Sequence, residues 1–152
     1  MQPEKITMAE NLAENLAGNI PHIGPMRWLE IAYAQPDGGI IGQQRIADGH
    51  PFLDHGRMPR SAIIEYIAQT AAAGISTHTA AVKPGGHISG MLIALRDVTF
   101  YGAARIGDTL NLHVAVTHRL GNMFRCHGQA FCNGKLICEG IFSFAIRGDK
   151  QH

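Results

Sequence analysis

From Thr109 to His118 the chain alternates: Leu110, Leu112, Val114 and Val116 are interleaved with Asn111, His113, Ala115 and Thr117. A period of two puts one set on each face of a strand, so this segment predicts a strand with one face on a core. Strands are also predicted over Ser89 to Phe100, Met123 to Asn133 and Lys135 to Ile146, with turns at Gly102 to Asp108, Leu120 to Asn122 and Asn133-Gly134. The last is a strong two-residue hairpin signal. Upstream, Arg27 to Ala34 and Ile40 to Ile46 flank the turn Pro36-Asp37-Gly38-Gly39 and predict an antiparallel pair.

Between Pro59 and Val82 the period changes. Ile63, Ile64, Ile67, Ala68, Ala71 and Ile75 recur near every 3.6 residues, without proline, which predicts one long helix. From Ser61 to Val82 its single formal charge is Glu65. So apolar a helix either spans a membrane or is wrapped by its own protein. Gln69, Thr70, Ser76, Thr77, His78 and Thr79 make it too polar to span, so it is expected to lie buried within a sheet. Thr7 to Glu10 has capping-box spacing and Met8, Leu12 and Leu16 follow at helical intervals, predicting a short peripheral helix within residues 1–18. Strands that must cover one apolar helix form an α+β layer, here a single domain over residues 1–152.

Composition narrows the functional classes. A chain of 152 residues, 45% hydrophobic and 16% charged, has material for one core. Its net charge of +1 gives no bulk attraction to nucleic acid or to an anionic membrane, and its start lacks a basic, apolar leader, so a cytoplasmic protein is expected. Cys126, Cys132 and Cys138 fit neither a disulfide framework nor a zinc site. A tight turn at Asn133-Gly134 would set Cys138 opposite Gln129 and Cys126 opposite Ile141, so reduced thiols are expected. His50, Asp54 and His55 are irregularly spaced for a metal, and the glycines of Pro84 to Gly90 lack dinucleotide spacing, so neither metal nor cofactor is expected.

From Ile20 to Ile146 these segments resemble a known family. Ile20-Pro21-His22-Ile23-Gly24-Pro25-Met26 is similar to the Leu-Pro-His-x-x-Pro opening of bacterial FabA/FabZ-like 3-hydroxyacyl-acyl-carrier-protein dehydratases. Met58-Pro59, followed by Ile63 to Gln69, resembles their Pro-Gly-x-x-x-x-Glu-Ala-x-Ala-Gln helix. Val98-Thr99-Phe100 leading to Ile106-Gly107-Asp108 is similar to their next strand and Pro-Gly-Asp turn. Pro51-Phe52-Leu53-Asp54 and Glu65 to Gln69 resemble segments of the divergent ApeP-like group of aryl-polyene gene clusters. The resemblance implies a hotdog fold, in which a curled antiparallel sheet wraps one central helix. It also implies cofactor-free dehydration of a 3-hydroxyacyl chain on the phosphopantetheine of an acyl carrier protein or of CoA. Such proteins resemble obligate dimers, so a homodimer, or a heterodimer with a related hotdog subunit, is expected, the histidine of one subunit facing the carboxylate of the other.

Dehydration needs a base for the proton beside the thioester carbonyl, a site for the enolate-like charge and an acid for the departing hydroxyl. Glu65 suits the acid, because apolar surroundings disfavour its ionised form and keep a proton available. Gln69, one turn on, is placed to hold it by hydrogen bond. Backbone N–H groups at the helix start, around Arg60 and Ser61, suit the oxyanion. The family has glycine where this chain has Arg60, whose side chain would crowd the carbonyl or meet a phosphate.

For the base, three histidines compete. The family's Gly-His-Phe-Pro-Gly is replaced by Gly49-His50-Pro51-Phe52-Leu53-Asp54-His55-Gly56. Counting back from Glu65 lands on Pro51, one residue of slippage reaches His50, and pairing the Pro-Phe elements reaches His55. His22, in its own motif, is the third. Arg57, Arg60, Arg96 and Arg105 read as a solvated rim or as a landing patch for an acidic carrier protein. Two other readings stand beside dehydration: a catalytically silent partner subunit of a heterodimeric dehydratase, and an acyl thioesterase.

Overall fold

A computed structural model describes Leu29, residues 31–75 and residues 88–148. Among them the order is β1 Ile31–Ala34, β2 Ile40–Arg45, α1 Arg60–Ile75, β3 Ile88–Phe100, β4 Thr109–Leu120, β5 Met123–Cys132 and β6 Lys135–Gly148. The expected peripheral helix, and the end of the central helix beyond Ile75, lie outside the described residues. The six strands form one antiparallel sheet in the order β1-β2-β4-β5-β6-β3, and α1 packs across it, the hotdog arrangement expected. No helix of the described residues is long and apolar enough to cross a membrane.

Period and burial agree along β4, where Leu110, Leu112 and Val114 are buried and Asn111 and His113 are half-buried. Tyr66, Phe124 and Phe142 are the largest side chains fully buried between helix and sheet. The helix lies close to the strands because side chains are missing where the two meet. A Cβ on Gly42 of β2 would run into Thr70, one on Gly128 of β5 into Ile67, and one on Gly74 of α1 into Ile40. Along the other side of α1, Ile64, Glu65, Ala68 and Ala72 are only half-buried.

The hairpin at Asn133-Gly134 forms as expected, both residues at positive φ (50° and 83°). The expected register beyond it does not hold. Phe131 pairs with Leu136 but Ala130 pairs with Cys138, so Ile137 is an extra residue on β6. Cys138 therefore opposes Ala130, and Cys126 opposes Phe142. The bulge buries the Ile137 side chain and turns its carbonyl to the Tyr101 N–H, 2.8 Å away, where the chain leaves β3. The thiols are unbridged, and burial pushes Cys126 and Cys132 up to about 12 and Cys138 to about 11.

Asp108 ties the turn before β4 to this hairpin. Its carboxylate accepts the Arg105 N–H at 2.8 Å and the Asn133 side-chain amide at 3.0 Å. Desolvation pushes the Asp108 carboxyl up, but these bonds and one from Cys132 outweigh it, so its pKa lies below the usual aspartate value. A depressed carboxyl stabilises the fold above its unfolded-state pKa, and that contribution is lost as pH falls through the folded-state value. Asp108→Ala is accordingly expected to lower the thermal midpoint at neutral pH. Melts repeated toward acid should bring variant and parent together; a constant gap would show that the charge is not what matters.

Candidate active site

Pro59 sets the start of α1, its carbonyl accepting the Ala62 N–H at 3.0 Å and the Ile63 N–H at 3.3 Å. Arg60 and Ser61 fill the exposed first turn, where helix geometry leaves amides without an intrahelical acceptor. The Arg60 guanidinium lies over the Phe100 ring, 5.0 Å from its centroid, at a cleft of about 340 Å³ that Arg57, Met58, Pro59, Tyr101 and Gly102 also line. Stacked there, Arg60 shares the mouth of the cleft with Arg57.

One turn into the helix, Glu65 and Gln69 meet as their spacing predicts. The buried Gln69 accepts the Leu29 N–H on Oε1 at 3.3 Å and donates from Nε2 to Glu65 Oε1 at 3.2 Å. A backbone N–H can only donate, so it fixes which end of the Gln69 amide faces the carboxyl. Glu65 is thus held by a side chain that is itself held by the backbone. It is half-buried rather than enclosed, because it lies on the side of α1 turned away from the sheet.

The three histidines fare differently. His22 lies outside the described residues. His55, at φ 50°, and Gly56, at φ 79°, form the tip of a tight turn closed by mutual Asp54–Arg57 backbone bonds of 2.9 Å. The His55 side chain is 98% exposed and bonds Asp54 at 2.7 Å, so it belongs to the turn and not to the helix face. His50 is brought onto the helix: its Nε2 lies 3.1 Å from the Tyr66 hydroxyl, and its Nδ1 accepts the Phe52 N–H at 3.2 Å. Burial lowers the His50 pKa, which favours the neutral ring at neutral pH.

Tyr66 is the residue that sequence reasoning missed. It is the single aromatic in α1, and a buried tyrosine needs a partner for its hydroxyl. No group of three or more His, Cys, Asp and Glu placed to hold a metal occurs among the described residues.

A carboxyl and its glutamine on the central helix, under a loop that begins Gly-His, are the features on which the sequence resembles the dehydratases. Across residues 14–145 the chain matches the family model described as ApeP-like, ApeP dehydratase. The chain belongs to the ApeP-like dehydratase family. Among individual relatives, this ApeP-like chain is 29% identical over 126 residues to the 3-hydroxyacyl-[acyl-carrier-protein] dehydratase FabZ of Agrobacterium fabrum, covering 79% of each chain. Among solved structures it is similar to the dehydratase heterocomplex ApeI:P from Xenorhabdus doucetiae, with TM-score 0.75 and 23% identity over 88% of this chain and 91% of that one. A hypothetical thioesterase from Streptococcus pneumoniae, solved with coenzyme A, gives TM-score 0.59 and 13% identity over 81% and 87%. At these identities the two structural likenesses concern the fold, and the ApeP-like match carries the family.

Proposed function

We propose that this ApeP-like chain is a subunit of a dehydratase that removes water from a 3-hydroxyacyl chain carried on the phosphopantetheine of an acyl carrier protein. The observation that carries this reading is Glu65, set on the central helix of a dehydratase-family fold and held by a backbone-anchored Gln69. In the proposed reaction His50, neutral at working pH, takes a proton from C2 of the acyl chain. The C–H electron pair becomes the C2=C3 bond, and the hydroxyl leaves C3 with the Glu65 proton as water. Amides of Arg60 and Ser61 would receive the charge that develops on the thioester oxygen. The proton then passes from His50 back to Glu65 through solvent. The cleft beside Arg57 and Arg60 is offered as the way in for the carrier's phosphate. Three reduced, buried thiols are in keeping with a cytoplasmic setting.

Two features support an assembly of at least two subunits. The edge strand β3 exposes Met91, Ile93 and Leu95 at 68%, 43% and 42%, and an apolar edge of this kind invites strand pairing. The half-buried stripe Ile64, Ala68 and Ala72 beside Glu65 offers a second contact. The partner is a second copy or a related hotdog subunit.

A silent-partner reading is favoured by one observation, that both ring nitrogens of His50 are engaged within this chain. The deciding experiment presents 3-hydroxyacyl-carrier protein to the purified chain, alone and with a related dehydratase subunit, and follows enoyl absorbance. Turnover by the chain alone establishes the first reading. Turnover that appears only with the partner, and survives Glu65→Gln in this chain, establishes the second.

A further inference from the structure

We infer that Tyr66 is a positioning residue for His50: with the Phe52 amide it fixes the imidazole as the Nε2–H tautomer, leaving Nδ1 as the nitrogen that accepts a proton. The Phe52 N–H has one role, donation, and it is directed at Nδ1 from 3.2 Å. Nδ1 must therefore present its lone pair, and the single proton of a neutral imidazole then lies on Nε2. Nε2 stands 3.1 Å from the Tyr66 hydroxyl, which receives that proton as a hydrogen bond. Donation runs one way along this chain of groups, from amide to ring to phenol, an arrangement in which each bond polarises the next.

The two ends of the clamp come from different elements. Tyr66 has no exposed surface and sits on α1, so its hydroxyl is a fixed post. The loop reaches the post through Gly49, whose φ of 86° lets the chain turn His50 back onto the helix. Burial favours the neutral ring, and in that form the tautomer decides which nitrogen is basic.

The catalytic consequence rests on the dehydratase reading. When Nδ1 takes the C2 proton, the Phe52 N–H releases it and a new Nδ1–H bond forms, while Nε2–H stays on Tyr66. The electron pair goes into C2=C3, and the hydroxyl departs with the Glu65 proton as water.

Nitrogen-15 NMR of histidine-labelled protein reads the tautomer directly, with His50→Gln identifying the His50 signal among the nine histidines. The wild type is expected to show His50 with its proton on Nε2. In Tyr66→Phe, which keeps the ring and loses the acceptor, the Nε2–H preference should weaken by roughly three- to tenfold, the worth of one ordinary hydrogen bond. Turnover should fall by a similar factor in kcat, with KM little changed. A wild-type His50 carrying its proton on Nδ1, or a Tyr66→Phe signal identical to the parent, overturns the inference, and the wild-type spectrum decides even if the variant folds poorly. The Nε2–H signature without dehydration in any assembly would leave the clamp standing and remove the dehydratase reading. Dehydration by a chain whose His50 carries Nδ1–H would do the reverse.

Discussion

Dehydration of a 3-hydroxyacyl thioester is expected to fall by about 10²–10⁴-fold when Glu65 is replaced by Gln, the usual worth of a positioned general acid. The substitution is close to isosteric, and its amide oxygen can still accept from Gln69 Nε2 across the 3.2 Å contact of the parent. Shape and anchoring are kept; the transferable proton is lost. The loss should therefore appear in kcat, with KM and thermal midpoint near those of the parent. Enoyl absorbance measured on the assembled enzyme gives the answer, and equal rates for the two proteins would take Glu65 out of the mechanism. Gln69→Leu asks a subtler question. It removes the bond to Glu65 and also strands the buried Leu29 N–H, so it should cost stability as well as rate.

Gly74→Ala is expected to destabilise the fold even though it improves the helix. Alanine gains up to about 1 kcal/mol of helix propensity over glycine. Its methyl, however, would overlap the branched side chain of Ile40, which is 1% exposed and stiff at χ1. Overpacking of this kind costs about 1–3 kcal/mol and outweighs the propensity gain where the neighbour cannot turn aside. Denaturant titration of Gly74→Ala, Ile40→Ala and the double variant checks the argument. The alanine at position 74 should destabilise when Ile40 is present and become neutral or favourable once Ile40 is cut back. Additive effects would mean that the helix shifts away from β2 instead of being keyed to it.

The elements were legible in the sequence because each carries its own period: two along β4, near 3.6 along α1, and the Asn133-Gly134 turn between β5 and β6. The register of that hairpin was not legible. The extra residue, Ile137, is placed by a demand from elsewhere in the chain, the Tyr101 N–H that needs a carbonyl, and no local pattern encodes it. The meeting of Glu65 and Gln69 followed from helix geometry, whereas the depth of Glu65 did not. Apolar neighbours all round suggested enclosure, yet only the side carrying Ile63, Ile67, Thr70 and Gly74 faces the sheet, and Glu65 shares the opposite side with Ile64 and Ala68. Among the histidines, spacing left His50 and His55 open. Backbone conformation separates them, since a residue at the tip of a turn closed by Asp54 and Arg57 is directed to solvent while His50 folds back to Tyr66.

In the proposed assembly the apolar outer edge of β3 would act as a single valence. One strand edge accepts one strand, so a second copy of this chain and a related subunit would be mutually exclusive occupants of Met91, Ile93 and Leu95. If both are made in the same cell, mass action between them sets the composition of the enzyme. The relative expression of the two chains, and not a signal at the site, would then govern how much of each assembly exists.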